Sequence, residues 1–349
     1  MSKRRSTALL TAGVVFIGLA AAGHFVATPA LSKLPSDTDM SAEYSGTAYA
    51  LDPATMKLGA GVPITADRRV QVTNSSGDVA VIRSSAVVHT PAGEMADEHS
   101  FAINRSDYSQ AAAPAGVSVE DQLGGMTISR PMDPTTSAFT VYDTTTQSAV
   151  PVEFTGTETL NGRTVHEFSG AETAPVRNEA LLVMLRAGIA AVAQTGDGTA
   201  LPKGMLEGVA AQLGGAEADM FTTLLAQLPD EVPVVFTATV HNDIAIDSEM
   251  GAPVRTAQAQ TVTANIQAGS QLVPMMDLSR TELASTPQSI ASAAVSLDDA
   301  SGTLALIDTW IPLALAFVGA VLIGLSGIRR RSAHTDQSLP SAAHEPAGV

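Results

Sequence analysis

The chain has 349 residues, no cysteine, and 35 acidic against 19 basic side chains, so its net charge is −16. Without cysteine it can form no disulfide framework, thiolate metal site or thiol nucleophile. Aromatic residues make up only 4% of the sequence. An acidic, aromatic-poor surface repels phosphates and offers few stacking platforms, which excludes nucleic acid as a partner.

Two uncharged apolar segments lie near the ends of the chain, at residues 6–27 and 309–328. A bilayer core of roughly 30 Å is crossed by about 20 apolar residues in a helix, which satisfies every backbone hydrogen bond within one segment. Trp310 lies at one end of the second segment, where an aromatic ring favours the headgroup layer. The sequence therefore predicts transmembrane helices over residues 6–27 and 304–328.

Basic residues flank both segments. The two clusters are Lys3, Arg4 and Arg5 before the first segment, and Arg329, Arg330 and Arg331 after the second. Because basic flanks stay on the cytoplasmic side of a membrane, we expect residues 1–5 and a disordered tail, 329–349, in the cytoplasm. Residues 28–303 then form the extracytoplasmic domain of a two-pass protein of the cell (inner) membrane.

The first segment also has an alternative interpretation as a cleaved signal peptide. Ala20-Ala21-Ala22 supplies the small residues that a signal peptidase requires. Apolar sequence continues past this site through Phe25 and Val26, which favours an uncleaved anchor.

Residues 41–170 have the pattern of β-strands joined by tight turns. The segment NSSGD at 74–78 separates two stretches rich in β-branched residues, and Asn161-Gly162 separates two more. An Asn-Gly pair suits a type I′ turn, since both central residues need a positive φ. Val150, Val152 and Phe154 alternate, so we expect them on one face of a strand.

The spacing of the apolar residues changes over residues 178–228, which predicts a helical insertion. Asn178 is the expected N-cap of an apolar helix, and Phe221, Leu224, Leu225 and Leu228 follow the spacing of an amphipathic helix. The strand pattern returns over 232–283. Its alternating apolar residues are Val234, Phe236, Ala238, Val240, Ile244 and Ile246.

The order of these segments predicts an α+β fold. It is mainly antiparallel β and barrel-like, carries the helical insertion 178–228, and is flanked by two transmembrane helices. Helices gathered in one block argue against alternating βαβ units with a parallel sheet.

The sequence holds no recognised catalytic motif, and we expect no enzyme, no catalytic or metal-binding residue and no cofactor. His166-Glu167 begins like a zinc-protease motif, but Gly170 stands where the second histidine is required. His89 and His99 bracket the acidic residues Glu94, Asp97 and Glu98. This group could hold a metal ion, although a polar surface turn is the preferred interpretation.

The helical insertion is more apolar than two short helices require. This surplus suggests that it lines a cavity for acyl chains. The candidate lipid-lining residues are Leu181, Leu182, Met184, Leu185, Phe221, Leu224 and Leu225. The alternative is that these side chains form an ordinary packed core.

Two short stretches, PALSKLPSDTD and GTAYALDPATM, resemble a known family. The residues that carry the resemblance are Pro29, Lys33, Leu34, Pro35, Asp37, Leu51, Asp52, Pro53 and Thr55. They are similar to those of double-anchored envelope proteins of mycolic-acid actinobacteria, the porin PorA family, whose extracytoplasmic domain is of unknown function. The resemblance extends over essentially the whole chain.

The resemblance implies a periplasmic domain between two anchors, similar in architecture to the class B scavenger receptors, which have a lipid tunnel and an apical helical cluster. It also implies a link to lipoglycan maturation and provides no catalytic residues. We therefore expect a protein that binds or passes a membrane lipid or lipoglycan intermediate in cell-envelope biogenesis. The alternatives are a non-catalytic scaffold or regulator of envelope glycosyltransferases, or a channel component.

Overall fold

A computed structural model describes residues 2–22, 25, 32–52, 55–193, 196–210 and 215–335. The chain forms two compact units. One unit is Met1–Lys33 with Asp298–Val349, and the other is Leu34–Leu297.

The strands and helices are bounded as follows. The strands are β1 (Asp39–Asp52), β2 (Lys57–Leu58), β3 (Val62–Ser76), β4 (Val79–Thr90), β5 (Gly93–Asn104), β6 (Phe139–Asp143), β7 (Ser148–Leu160), β8 (Arg163–Pro175), β9 (Ala200–Pro202), β10 (Glu231–Asp247), β11 (Pro253–Ala268) and β12 (Gln271–Ser285). The helices are α1 (Ser2–Ala22), α2 (Glu179–Ala193), α3 (Lys203–Ala210), α4 (Gly215–Ala226), α5 (Pro287–Ala305) and α6 (Ile311–Thr335).

The strands form a 12-stranded sheet in the order β5-β4-β3-β1-β12-β11-β10-β8-β7-β6, with β2 beside β1 and β9 beside β10. Each pairing between these strands is antiparallel, which confirms a mainly antiparallel β fold with a few helices. Three meanders follow chain order, and β1 joins two of them because it pairs with both β3 and β12. This pairing sets Tyr44 opposite Ser285 and brings the two ends of the sheet domain together.

The turn predictions are confirmed in detail. Within NSSGD, Gly77 and Asp78 connect β3 to β4, and Asn161-Gly162 connects β7 to β8 with φ angles of 48° and 86°. These positive φ values are the ones that a type I′ turn requires.

The alternation predicted for β7 holds up to Phe154. Val150 and Val152 are fully buried, and Phe154 pairs with the buried Phe168, with their ring centroids 5.8 Å apart. Phe168 belongs to the same core cluster as Val152, so Phe154 shares that face, although it is 39% exposed. The register of β7 with β8 shifts just after this point, between Phe154 and Gly156.

The apolar alternation of β10 builds the core beneath the helical insertion. Phe236, Ala238 and Val240 are buried together with Leu225 of α4 and Leu206 of α3. Asn178 caps α2, as predicted, by accepting the backbone N–H of Leu181 at 3.1 Å.

The barrel-like closure is not seen in the strand pairing of the described residues, because the path has two ends, β5 and β6. Side chains of these end strands nevertheless meet. Phe101 of β5 and Tyr142 of β6 stack edge to face with ring centroids 5.4 Å apart. The sheet is therefore strongly curved, and the connection between β5 and β6 bridges its two edges. Glu120 N–H donates to Ser100 O of β5, and Met126 N–H donates to Thr140 O of β6, each at 2.8 Å.

In the part of the chain that the structure describes, one helical stretch, Pro287–Gly324, is long and apolar enough to cross a membrane. A π-helical turn, Leu306–Trp310, separates α5 from α6 within it. A second spanning helix is not shown, although α1 forms a helix over Ser2–Ala22 and packs against α6. The sequence placed the end of the second span at residue 328, whereas α6 continues to Thr335. The predicted tail beyond that point lies outside the described residues.

Candidate functional site

The curved sheet leaves space inside because several inward positions carry small side chains. On β4, Ile82 faces inward and is completely buried in the core, and the next inward residues, Ser84 and Ala86, are too short to fill the same depth. Ala66 is the inward neighbour on β3. The result is a cavity of about 290 Å³, called here the larger cavity.

The walls of the larger cavity come from strands that are far apart in sequence. They belong to β1, β3, β4, β5, β6, β10, β11 and β12 and to the connection between β5 and β6. Its apolar wall residues are Ala66, Ala86, Val88, Met126, Ile128, Val141, Ile244, Pro253, Ala257 and Leu283.

A second cavity of about 210 Å³, the smaller cavity, adjoins the larger one. Both are lined by Val88, Gln258 and Leu283. The part of β4 that lines the two cavities runs from Ser84 to Thr90, roughly 20 Å at about 3.3 Å per residue. The lining of the smaller cavity contains no charged side chain. Together the cavities form an elongated space with one neutral end.

Arg68 brings a positive charge to the wall of the larger cavity. It shares the inward face of β3 with the buried Ile64, Ala66 and Val70. Its Nε donates to Ser84 Oγ at 3.2 Å, and its Nη2 donates to the backbone oxygen of Thr127 at 2.7 Å. Among the described residues, no carboxylate forms a salt bridge with Arg68.

Thr127 contributes an unusual polar group to the same wall. Its side-chain hydroxyl is buried and has no hydrogen-bond partner within the described residues. Buried hydroxyl groups are normally paired, because an unpaired one loses the hydrogen bonds that it made to water.

His99 lies on the same wall, is only 9% exposed, and is held between two carboxylates. Its Nδ1 lies 2.7 Å from Glu120 Oε1, and its Nε2 lies 2.8 Å from Asp97 Oδ2. A neutral imidazole can donate through only one nitrogen, so two carboxylate partners require the protonated ring. Both nitrogens are occupied, and the ring has no lone pair left to act as a base.

The pKa values of this cluster follow from the same contacts. Burial alone would lower the pKa of His99, but hydrogen bonds and charges from Asp97 and Glu120 outweigh burial and raise that pKa. The hydrogen bond from His99 lowers the pKa of Asp97. Burial, assisted by the charges of Glu120, Asp143 and Asp121, raises the pKa of the Tyr142 hydroxyl to about 12. Tyr142 therefore remains neutral at physiological pH.

The three carboxylates on the wall of the larger cavity are all engaged by groups of the protein, and Asp67 Oδ2 lies 2.9 Å from His89 Nε2. Asp97 accepts from His99 and, at 3.3 Å, from Asn178 Nδ2. Asp143 is buried and accepts from both the backbone N–H and the hydroxyl of Thr146 at 2.7 Å. Because Asn178 also caps α2, the His99 cluster connects the cavity wall to the helical insertion.

The predicted lipid-lining residues lie elsewhere. Leu225 belongs to the core cluster under the helices, and Leu181, Leu182, Leu185, Phe221 and Leu224 pack against it, partly buried. Met184 is 55% exposed on the outer side of α2. None of the seven lines the larger or the smaller cavity. Their role in holding lipid stays a prediction, and the packing favours the core alternative.

The possible metal ligands are divided between two sites. His89 contacts Glu94 and Asp67 on the surface, whereas His99 contacts Asp97 and Glu120. Within the described ranges, no group of three or more histidine or acidic side chains is arranged to hold a metal ion. His166 lies on β8, a strand, and not on the helix that a zinc-protease motif requires.

The residues that carry the family resemblance lie where the chain enters the sheet domain. Leu34 is buried in the core cluster with Phe101 and Tyr142, and its backbone N–H donates to Arg105 O at 2.8 Å. Thr55 donates its hydroxyl to Asp52 Oδ2 at 3.0 Å. Pro29 and Pro53 lie outside the described residues.

Sequence reasoning missed the polar residues of the cavity wall, although a signal was present. Arg68 interrupts the buried series Ile64, Ala66 and Val70 on β3, and Asn242 interrupts the buried series of β10. Each occupies an inward position of a strand whose neighbours at the same parity are apolar. A polar residue at such a position destabilises the fold unless it is paired, and it therefore indicates a candidate site.

A family model described as Porin PorA matches residues 5–328. No curated protein sequence matches the chain. Among solved structures, a MaoC-like dehydratase from Phytophthora capsici is 10% identical, with 71% of this chain and 72% of that chain covered and a TM-score of 0.13. A conserved hypothetical protein of Mycobacterium tuberculosis with a double hotdog fold is 14% identical, with 79% and 81% covered and a TM-score of 0.13. With TM-scores this low, neither likeness bears on the fold or activity of this chain.

Proposed function

Since the chain belongs to the Porin PorA family, we propose that it is a membrane-anchored protein of the cell envelope that binds the acyl chain of a lipid or lipoglycan intermediate. The binding site is the elongated space formed by the larger and smaller cavities. The protein acts without catalysis, receiving its ligand from the membrane or a membrane enzyme and passing it on. Its termini are cytoplasmic, and the sheet domain is extracytoplasmic.

The observation that carries this proposal is the pair of adjoining cavities inside the sheet. Ligand sites are concave, mostly apolar and usually several hundred Å³ in volume. Volumes of about 290 and 210 Å³ are of this order. Protein interiors are otherwise packed as densely as organic crystals, with few voids larger than a water molecule. The larger cavity is partly open to solvent, so a molecule can enter a space of this size.

The shape of the space matches a chain-like ligand. It extends roughly 20 Å along β4, a length that suits an extended acyl chain better than a compact metabolite. The smaller cavity is lined by apolar residues, among them Ile64, Met95 and Leu283, together with the uncharged polar side chains of Thr90, Gln258, Gln260 and Thr281. Charged side chains line the larger cavity and not the smaller one, so the two ends of an amphipathic ligand find different surroundings.

The test is to fill the space and measure bound lipid. Ala86 lines the larger cavity, and a phenylalanine at this position would occupy much of it. The full chain and its Ala86→Phe variant are purified from their own membranes, and co-purifying lipids are quantified by mass spectrometry. We expect an acyl lipid on the unmodified protein and at least a tenfold loss on Ala86→Phe.

Ser85→Phe is the matched control, because the next residue on a strand points to the opposite face and Ser85 does not line either cavity. It should retain the lipid. Melting temperatures of all three proteins show whether the sheet domain remains folded. Equal lipid on all three folded proteins, or none on the unmodified protein, would refute the proposal.

The family name favours a second candidate function, that of a channel component. A channel would require the full chain to raise ion conductance across a planar bilayer. We expect no conductance above that of the lipid alone, because the one apolar helical stretch found in the described residues has no charged side chain between Thr309 and Gly324. Single-channel steps that disappear when the protein is omitted would favour the channel.

A further inference from the structure

Arg68 is a charged side chain with an incomplete set of partners. Its alternation with Ile64, Ala66 and Val70 directs it to the inside of the sheet. There it donates to a serine hydroxyl and to a backbone carbonyl, both of which are neutral. A guanidinium has five N–H donors in a planar fork that fits an anionic carboxylate or phosphate group.

The neighbouring charges do not neutralise Arg68. Of the carboxylates that line the larger cavity, Asp67 is paired with His89, Asp97 accepts from His99 and Asn178, and Asp143 accepts from Thr146. Arg68 is only half-buried, so water still reaches its side chain, and an anion that displaced this water would pair with the guanidinium. The described residues provide no counter-ion for Arg68, and an anionic ligand can provide one.

The position of Arg68 within the cavities indicates how such a ligand lies. Arg68 lines the larger cavity and is absent from the lining of the smaller cavity. Ile64 lies four residues before Arg68 on the inward face of β3 and lines the smaller cavity, which has no charged side chain. The two cavities are neighbours, since Val88, Gln258 and Leu283 line both of them. A ligand with one anionic end and one hydrocarbon end fits this arrangement in a single orientation.

We propose that Arg68 receives the anionic head of a single-chain amphiphile, a carboxylate or a phosphate monoester, whose hydrocarbon chain extends past Val88 into the smaller cavity. Thr127, whose backbone oxygen accepts from Arg68, lies at this end of the cavity. This inference rests on the proposed function, since it specifies the head group of a ligand that the cavities hold. Recognition by a charged fork selects against neutral alcohols and against amines.

The experiment compares four probes that share one chain: decanoate, decyl phosphate, decanol and decylamine. Binding to the full chain in nanodiscs of uncharged lipid is measured by calorimetry, and uptake by empty nanodiscs is subtracted. Charge-assisted hydrogen bonds contribute about 1.5–3 kcal/mol. We therefore expect decanoate, decyl phosphate or both to bind about 10–100-fold more tightly than decanol. The stronger of the two anions identifies the source of the head group.

Two variants locate the preference at Arg68. Arg68→Gln should abolish the preference for the anion and leave decanol affinity unchanged, whereas Arg68→Lys should retain part of it. Arg69→Gln removes the same charge from the next residue of β3, where Arg69 is exposed and paired with Asp39. This control should bind the anions like the unmodified protein.

The outcomes separate this inference from the function on which it rests. If no probe binds the unmodified protein, the proposed function fails. If decanol or decylamine binds as tightly as the anions, the cavity holds hydrocarbon but the assignment to Arg68 is wrong. This comparison needs no variant and remains decisive even where Arg68→Gln does not fold. An anion preference that persists in a folded Arg68→Gln protein would also overturn the inference.

Discussion

Leu225 is the sharpest test of whether the helical insertion is core or lipid-binding surface. Its side chain is 1% exposed and belongs to a cluster with Leu206, Val232 and Ile266, which are at most 1% exposed themselves. Leu→Ala substitutions at such sites cost about 3–5 kcal/mol, because the lost transfer free energy adds to the cavity left behind. At about 2–4 °C per kcal/mol for a domain of this size, Leu225→Ala should lower the melting temperature by roughly 6–20 °C.

The assay is thermal unfolding of the full chain followed by circular dichroism in the strand region, with bound lipid measured on the same preparation. Met184→Ala on α2 is the control, because a side chain that is 55% exposed should change stability by less than about 0.5 kcal/mol. The reasoning fails if Leu225→Ala leaves the melting temperature unchanged and lowers the amount of bound lipid. That result would mean that Leu225 faces a ligand and not packed protein.

Two further predictions follow from the ion pairs. The pKa of His99 is raised in the folded protein, so its stabilising effect is fully present below about pH 6.5, the unfolded value, and is lost as the pH rises through the folded value. Urea unfolding from pH 6 to 9 should show a decline in the free energy of unfolding of the unmodified protein and a smaller decline for His99→Gln. Equal declines in the two proteins would contradict the prediction. His89→Gln is the control for the exposed histidine, whose pKa is also raised. Asp247→Asn should cost about 3–5 kcal/mol in urea unfolding, because Asp247 is 1% exposed and accepts from Arg163 Nε at 2.7 Å. A loss below 1 kcal/mol would show that the pair is not stabilising.

Local patterns in the sequence were sufficient to identify most elements of the sheet domain. The Asn161-Gly162 turn, the helical insertion and the buried series of β10 depend on interactions between near neighbours in the chain. The alternation of Val150, Val152 and Phe154 is local in the same way, whereas the bulge that follows Phe154 depends on the register of the partner strand and leaves no mark in the sequence of β7.

The candidate site was harder to predict. The apolar residues of the helical insertion were predicted to line the site because they are numerous and close together in sequence. The cavity wall, in contrast, is assembled from single inward residues of many strands, such as Ala66 of β3, Ala86 of β4 and Ala257 of β11. Each is unremarkable alone, because an alanine on a strand does not reveal whether its neighbour fills the space that it leaves.

The sequence by itself determined the class of the protein: an acidic, cysteine-free, mainly antiparallel β domain beside apolar segments with basic flanks, within the Porin PorA family. Strand alternation with a period of two also determined that Arg68 shares a face with Ile64 and Val70. Only the tertiary structure decided that this face is the inside of the sheet and that a cavity lies in front of it. Pairing of β1 with β12 and the approach of β5 to β6 set the curvature of the sheet, and both depend on contacts between residues far apart in the chain.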